Sequence, residues 1–284
     1  MDNRGTCKKK GSRQWGTTAN MKLIQDLHIH TNLSLCAARD TTAKDYIPFA
    51  KEDGLTTLGF SNHLWDSDVA GASKWYTPQN IEHVLQLKNE LPENGVIDGV
   101  RVLFGCETEF TYEWKLCLTE EHMGLFDYIL APHSHTHQGA VVPQDRVADI
   151  RDHAQYLMDS FLALIRHPLA HRITAVAHPF VPGTRYNIYN AIQALIPTGY
   201  FCEAFHEAKE KGIAIEVNGS CLTYLPEDEI PNCEYVRIYR LAKECGCKFI
   251  YGSDSHDHRD RRKIHLVERF LDQCGITESD FYLI

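Results

Sequence analysis

Seven short apolar segments of this chain end in polar side chains, and six of the seven end in histidine, glutamate or aspartate. These side chains are, in chain order, His28 and His30, His63, Glu107, His133 and His135, His178, Asn218, and Asp254 with His256. Residues two apart in a strand point to the same face, so each close pair presents two ligands together. Unrelated histidines would not recur at the same place in successive segments. The pattern therefore predicts strands that converge on a metal cluster.

Helical patterns separate the apolar segments, and this alternation predicts a parallel sheet. Strands are predicted at residues 22–30, 56–62, 101–108, 127–133, 173–178, 213–218 and 248–253, and helices at 41–53, 78–91, 143–167, 187–196, 199–211, 232–245 and 259–273. His28 and Asp254 lie on the first and last strands, and closing the sheet brings them to one site. We therefore expect an α/β barrel of seven strands, with the cluster at their C-terminal ends.

Length and charge narrow the class of protein. Residues 1–20 are polar, basic and aperiodic, which predicts a flexible N-terminal extension. Met21 is an alternative start of the protein, and residues 21–284 are predicted to form a single domain. The net charge of −9 argues against nucleic acid or an anionic membrane as partner. The ten cysteines lack disulfide-like spacing, and no signal peptide or transmembrane-length run is seen, so a reduced, cytoplasmic protein is expected.

Histidines outside the strand ends are expected to be ordinary core, capping or surface residues. They are His83, His122, His153, His167, His171, His206, His258 and His265.

The ordered motifs resemble the PHP family, the polymerase and histidinol phosphatase domain. They are DLHIHTNLS at 26–34, SNH at 61–63, GCE at 105–107, PHSH at 132–135, AHP at 177–179, EVN at 216–218 and GSDSH at 252–256. The resemblance covers about residues 22–260. It implies a distorted TIM-like (β/α)7 barrel, two or three divalent ions of zinc, iron or manganese, and phosphoester hydrolysis.

The resemblance also implies a ligand set. One ion would be held by His28, His30, Glu107 and Asp254. Glu107 would bridge to a second ion, held also by His178 and by either His133 or His135. A third ion would be held by His63 and His256. Asn218 would support the ligands through hydrogen bonds.

Two positions depart from the family pattern. The loop after His30 usually supplies an aspartate or histidine ligand, and here it offers Cys36, whose thiolate could bind zinc. The fourth motif has one residue more than expected, so His133 and His135 compete for one role. Both side chains would point to the same face of a strand, so strand alternation does not decide between them, and we favour His135.

The implied reaction is attack of a metal-bridging hydroxide on a small phosphate monoester, as in histidinol phosphatases. Asp254 or His256 would protonate the leaving group, although a metal-bound histidine does so poorly. Arg185 is the nearest cation to grip the phosphate, and a solvated loop arginine is an equally good interpretation of this residue. Lys74, Trp75 and Tyr76 lie in a long loop that could close over the substrate or simply pack on the surface.

Two other functions compete with phosphate ester hydrolysis. An amidohydrolase would have eight strands and usually a bridging lysine after the fourth, and neither is predicted here. A metal-binding module without turnover would be expected to lack some ligands, whereas this chain carries the full set.

Overall fold

The computed structural model describes residues 22–183, 186–223, 230–260 and 264–284. The N-terminal extension and Arg185 therefore lie outside the described residues. The strands within these ranges are β1 (Gln25–Ile29), β2 (Thr57–Phe60), β3 (His63–Leu64), β4 (Val96–Ile97), β5 (Val100–Thr108), β6 (Tyr128–Pro132), β7 (Ala175–Ala177), β8 (Ala214–Asn218) and β9 (Phe249–Gly252).

The main sheet runs in the order β1-β2-β5-β6-β7-β8-β9, and every neighbouring pair in it is parallel. β3 follows β2 after a two-residue break and pairs in parallel with the end of β5, whereas β4 is a short antiparallel addition to the start of β5. Among the described strands, seven thus form the sheet that was predicted.

Backbone hydrogen bonds join the two edges of this sheet. The His30 amide donates to the Ser255 carbonyl at 2.9 Å, and the Asp254 amide donates to the His28 carbonyl at 2.7 Å. Ile29 and Ser255 form a parallel bridge at the same place. The edges therefore meet at the C-terminal ends of the strands, which confirms the prediction of a nearly closed, TIM-like barrel of seven strands.

Helices cover the outside of the sheet. Those described are α1 (Ile47–Asp53), α2 (Ile81–Val84), α3 (Glu120–Met123), α4 (Ile150–Arg166), α5 (Tyr189–Ala194), α6 (Thr198–Glu210), α7 (Gly219–Leu222), α8 (Glu234–Glu244) and α9 (Ile264–Cys274). None of the described helices combines the length and the apolar composition that crossing a membrane requires.

Two helices begin later than their prolines suggested. The helix predicted to open at Pro78 begins at Ile81, because the Asn80 side chain accepts the His83 amide at 3.1 Å, and it continues only as a 3-10 turn. The helix predicted from Pro143 begins at Ile150, with Asp149 as its N-cap. In both places a polar capping side chain, rather than the proline, sets the first turn.

The barrel interior is a small apolar cluster below the strand ends. It consists of Leu27, Leu103, Tyr128, Leu130, Ala175, Ala177, Ala214 and Ile250. A Cβ added to Gly59 or Gly105 would overlap the Tyr128 ring, so two adjacent strands lack side chains where one aromatic ring fills the interior. The polar side chains at the C-terminal ends of the strands lie directly above this apolar cluster.

Candidate metal centre

Glu107 is the centre of the polar cluster. It lies near the end of β5, and its side chain is 1% exposed. Its Oε2 atom lies 3.4 Å from His28 Nε2, 3.6 Å from His30 Nε2 and 2.8 Å from His63 Nδ1. One carboxylate oxygen is thus shared by histidines from the first strand and from β3.

The second oxygen of Glu107 faces the other half of the barrel. Oε1 lies 2.8 Å from His178 Nε2 and 3.7 Å from His135 Nε2. Glu107 therefore stands between two groups of histidines, as a carboxylate that bridges two ions would.

Asp254 closes the cluster from the last strand. Its Oδ1 atom lies 3.4 Å from His30 Nε2, 3.8 Å from His28 Nε2 and 3.5 Å from His256 Nδ1. The backbone of Asp254 has φ of 54°, a left-handed conformation that aspartate and asparagine adopt more readily than most residues. This turn aims the carboxylate back toward the first strand.

The rear nitrogens of the first-strand histidines are hydrogen-bonded to oxygen atoms. His28 Nδ1 lies 2.7 Å from Glu216 Oε1, and His30 Nδ1 lies 2.9 Å from Ser34 Oγ. Since a carboxylate can only accept, His28 donates through Nδ1 and turns its Nε2 atom inward. The Ser34 hydroxyl donates to Asn62 at 2.9 Å, which leaves it to accept from His30.

The histidines on the far side are oriented in the same way. Ser134 Oγ donates to the His178 carbonyl at 2.9 Å and lies 2.8 Å from His178 Nδ1, so it accepts from that ring. His135 Nδ1 lies 2.8 Å from Glu109 Oε1. Both rings are thus held with Nε2 turned toward Glu107.

The inward-facing atoms fit divalent ions. Within this cluster, three groups bring one ligand atom from each member within 4.8 Å of the others: His28, His30 and Asp254; Glu107, His135 and His178; and His30, His63 and His256. A fourth such group among the described residues, Asp66, Asp68 and His122, lies outside the cluster. His28 Nε2 and His30 Nε2 are 3.1 Å apart, and His63 Nδ1 and Glu107 Oε2 are buried without a hydrogen bond. Imidazole nitrogens and carboxylate oxygens that converge so closely form a ligand set that suits a cation.

The protonation of the carboxylates agrees with a role as ligands. Burial would raise the pKa of the Glu107 carboxyl, but His28 and His63 outweigh burial and hold this pKa well below its usual range. Burial also opposes the shift at Asp254, where His28 and other histidines lower the pKa. Burial and neighbouring histidines lower the pKa of His30. Two ionised carboxylates and a neutral imidazole are the forms that bind metal ions.

Carboxylates have the opposite effect on two of the histidines. Burial would lower the pKa of His28, but Glu216, Glu107 and Asp254 raise it well above its ordinary value. Glu107 likewise outweighs burial at His63. Metal ions and protons therefore compete for these two rings.

His133 lies apart from the cluster. Its ring packs against Phe161 and Phe180, with centroids 5.3 and 4.9 Å away, and its Nε2 accepts the Phe180 amide at 2.9 Å. The strand β6 ends at Pro132, so strand alternation does not extend to His133 and His135, and the parity argument fails there. Of the two competing residues, the structure brings His135 to Glu107.

Cys36 lies at the mouth of the cluster. The residue is exposed, and its thiol is near His63 and His256. Burial of the thiol would raise its pKa, but His63 and His256 lower this pKa to about 6.

The cluster opens into a cavity of about 340 Å³. Trp75 and Tyr76 from the long loop line one wall, whereas Lys74 is exposed and does not line it. Ser220 and Cys221 line another wall, next to the Asn218 side chain, which donates to Glu216 at 3.2 Å and to Asp254 at 3.4 Å. No lysine or arginine lines the cavity in the described part of the chain.

Two buried glutamates of the site were missed by the sequence analysis. Glu216 lies in the quoted EVN motif, where we considered only Asn218, and Glu109 lies two residues after Glu107. Glu216 is 0% exposed and also accepts the His178 amide. Alternation along β8 carried the signal for Glu216, because it places residues 216 and 218 on one face, whereas Glu109 lies just past the end of β5.

Several other histidines make local hydrogen bonds away from the cluster, as expected. His83 Nε2 lies 2.8 Å from the Leu33 carbonyl, His122 Nδ1 lies 2.7 Å from Asp66, and His153 Nε2 lies 2.9 Å from Thr136.

Comparison with protein families gives one model that spans most of the barrel. The model of the PHP domain matches residues 26–220. A probable phosphatase of Clostridium novyi (strain NT) is 27% identical over 260 residues, which cover 91% of this chain and 89% of the relative. A probable phosphatase of Aeromonas hydrophila subsp. hydrophila is 27% identical over 237 residues, or 83% of this chain and 79% of the relative.

A solved structure shares the fold. It is the histidinol phosphate phosphatase of Lactococcus lactis subsp. lactis Il1403, complexed with zinc, L-histidinol and phosphate. The TM-score is 0.61 at 15% identity, and the match covers 89% of this chain and 94% of the other. At this identity the similarity concerns the fold, and it agrees with the TIM-like barrel described above.

Proposed function

Because this chain belongs to the PHP domain family, we propose that it is a metal-dependent phosphoesterase that hydrolyses a small phosphate monoester. The observation that carries the proposal is the convergence of histidine ring nitrogens on two ionised carboxylates, Glu107 and Asp254. The relatives named probable phosphatases support the reaction class.

In this proposal eight side chains hold two or three divalent ions of zinc, iron or manganese. They are His28, His30, His63, Glu107, His135, His178, Asp254 and His256. Bound ions of this kind activate water and neutralise charge on a phosphoryl group. The protein's own contribution is to fix the ligands: Glu216, Ser34, Ser134 and Glu109 each hold one ring with its Nε2 atom inward. The apolar interior of the barrel lies below the cluster, and Trp75 and Tyr76 line the cavity into which it opens.

The substrate in this proposal is a small ester such as histidinol phosphate. A cavity of about 340 Å³ accommodates a metabolite-sized ester, and the net charge of −9 disfavours a nucleic-acid substrate. The fold neighbour from Lactococcus lactis contains L-histidinol and phosphate, which makes this ester the first to test. Of the two residues predicted to return a proton to the leaving alkoxide, Asp254 is held ionised by the neighbouring histidines, and His256 could do so only while it binds no ion. Arg185 keeps its predicted role of gripping the phosphate.

The amidohydrolase alternative is less favoured by the geometry. The described barrel has seven strands rather than eight, and no lysine lines the cavity among the described residues. The alternative of a module without turnover is disfavoured by the complete set of converging ligands.

The test is release of inorganic phosphate from a panel of histidinol phosphate, other small monoesters and nucleoside monophosphates. We expect turnover of at least one small monoester by the metal-replete protein. Asp254→Asn should reduce kcat/KM by more than about 100-fold, the upper end of what loss of an outer partner costs. Asparagine suits the left-handed backbone at this position, so the variant removes the charge without straining the turn.

Asp152→Asn, on the exposed face of α4, is the matched control and should keep full activity. The proposal fails if the metal-replete protein hydrolyses no phosphate ester, or if Asp254→Asn turns over at the normal rate.

A further inference from the structure

We infer that Tyr76 is a positioning residue of the metal centre. Its buried hydroxyl holds the carboxylate of Glu109, and through this carboxylate it fixes the ring of His135. The inference rests on the proposed function, since it concerns the same cluster. It goes beyond the ligands, because it gives the loop between β3 and α2, residues 65–80, the task of holding one ligand in place as well as lining the cavity.

Two hydrogen-bonding contacts link Tyr76 to His135. The Tyr76 hydroxyl donates to Glu109 Oε1 at 2.8 Å, and His135 Nδ1 lies 2.8 Å from Oε1 and 3.0 Å from Oε2 of the same carboxylate. Tyr76 and Glu109 are both 0% exposed. Because a carboxylate only accepts, both partners donate to it, and His135 keeps its Nε2 atom turned toward Glu107, 3.7 Å from Oε1.

The Glu109 carboxylate depends on these two partners. Among the described residues, Tyr76 and His135 are the ones that donate hydrogen bonds to it, and no lysine or arginine of those residues pairs with it. An accepting oxygen that is removed from water and left without a donor is costly. Without the tyrosine hydroxyl, the carboxylate would be held by the imidazole alone, and neither group would fix the direction of the other.

The ring of Tyr76 is itself fixed by packing. It lies against Trp65 and Trp75, with ring centroids 5.3 and 4.6 Å away, in an apolar cluster that also contains Tyr156. A phenylalanine ring would fill the same space. The hydroxyl is therefore the part of the side chain that acts on Glu109.

The same loop also contacts a ligand on the other side of Glu107. Trp75 packs edge-on against His63, with ring centroids 5.3 Å apart, whereas Tyr76 acts on His135 through Glu109. Since both tryptophan and tyrosine line the cavity, one segment determines the shape of the cavity wall and the orientation of a metal ligand.

Zinc affinity tests the inference without relying on turnover. Tyr76→Phe in the full chain should weaken zinc binding by about 10-fold, the lower end of what the loss of an outer partner costs. Glu109→Gln should weaken it by about 10- to 100-fold. Competition with a chromogenic chelator measures both affinities. If Tyr76 acts through Glu109, adding Tyr76→Phe to Glu109→Gln should cause little further loss, because residues of one network are not additive.

Tyr156→Phe is the matched control. Tyr156 is 8% exposed and belongs to the same apolar cluster, but its hydroxyl makes no hydrogen bond to Glu109. This variant should bind zinc as the wild type does. A second readout is the visible absorption of the Co²⁺-loaded protein, which reports the geometry of the ligands. It should change in Tyr76→Phe and stay the same in Tyr156→Phe.

The outcomes separate this inference from the proposed function. Normal zinc affinity or an unchanged Co²⁺ spectrum in Tyr76→Phe, or additive losses in the double variant, overturns the role of Tyr76 alone. A wild type that binds zinc but hydrolyses no phosphate ester contradicts the proposed function, while the affinities still decide the role of Tyr76. A protein that takes up neither metal contradicts both proposals.

Discussion

At the scale of single residues, the site depends on side chains that would not themselves contact an ion. Glu216 is the main example: its Oε1 accepts His28 Nδ1 at 2.7 Å, and its Oε2 accepts the His178 amide and the Asn218 side chain. One buried carboxylate thereby positions histidines from the two halves of the cluster.

Glu216→Gln should therefore weaken zinc binding by about 10- to 100-fold. A glutamine has only one accepting oxygen, so either the His28 ring or the His178 amide would face an NH₂ group and lose its partner. Competition with a chromogenic chelator measures the affinity. Glu210→Gln, at the exposed end of α6, is the control and should bind normally; equal affinity in both variants would show that Glu216 does not position the ligands.

At the scale of elements, the strand ends could be predicted from the sequence better than the segments between them. The seven strands lie where the apolar segments indicated, because a buried parallel strand is marked by its own side chains. The segments that connect the strands were harder to predict. Asn80 and Asp149 cap helices inside segments that we assigned as helical from a preceding proline, and a short polar side chain at those positions is a weak signal.

Most residues of the cluster could likewise be identified in the sequence at the ends of strands. Not all of their hydrogen-bonding partners could be identified in this way. His133 and His135 lie beyond the end of β6, where strand alternation no longer applies, and the structure alone separates them. Glu216 is within β8, where a carboxylate is visible in the sequence but its contact with His28, 188 residues away, is not.

The glycines of β2 and β5 allow the barrel interior to close around Tyr128. An alanine Cβ at Gly105 would overlap the Tyr128 ring, which is 2% exposed and has little room to move. Gly105→Ala should lower the free energy of unfolding by about 1–3 kcal/mol, as overpacking of a core does. Denaturant unfolding followed by circular dichroism measures this difference.

Gly124→Ala is the control for that experiment. An added Cβ at Gly124 would meet nothing within 4 Å, and its φ of −69° suits alanine. This variant should unfold within about 0.5 kcal/mol of the wild type. If Gly105→Ala is equally stable, the interior is looser than the packing of Tyr128 implies.

At the scale of the whole molecule, the cluster exists only because the barrel closes. His28 and Asp254 come from opposite ends of the chain. Backbone hydrogen bonds between the two edges of the sheet hold His28 Nε2 3.8 Å from Asp254 Oδ1. Six of the seven strands of the main sheet end at or just before a ligand or a ligand's partner, and β3 adds His63, so the site draws on residues from His28 to His256. The closed topology is therefore what turns scattered histidines into one metal centre.

The central claim is that this closed cluster holds metal ions, and elemental analysis of the desalted, full-length protein tests it most directly. We expect two or three equivalents of zinc, iron or manganese per chain, with three indicating that the group around His63 and His256 is filled. Substoichiometric metal that added ions cannot restore would contradict the account and favour a module without turnover.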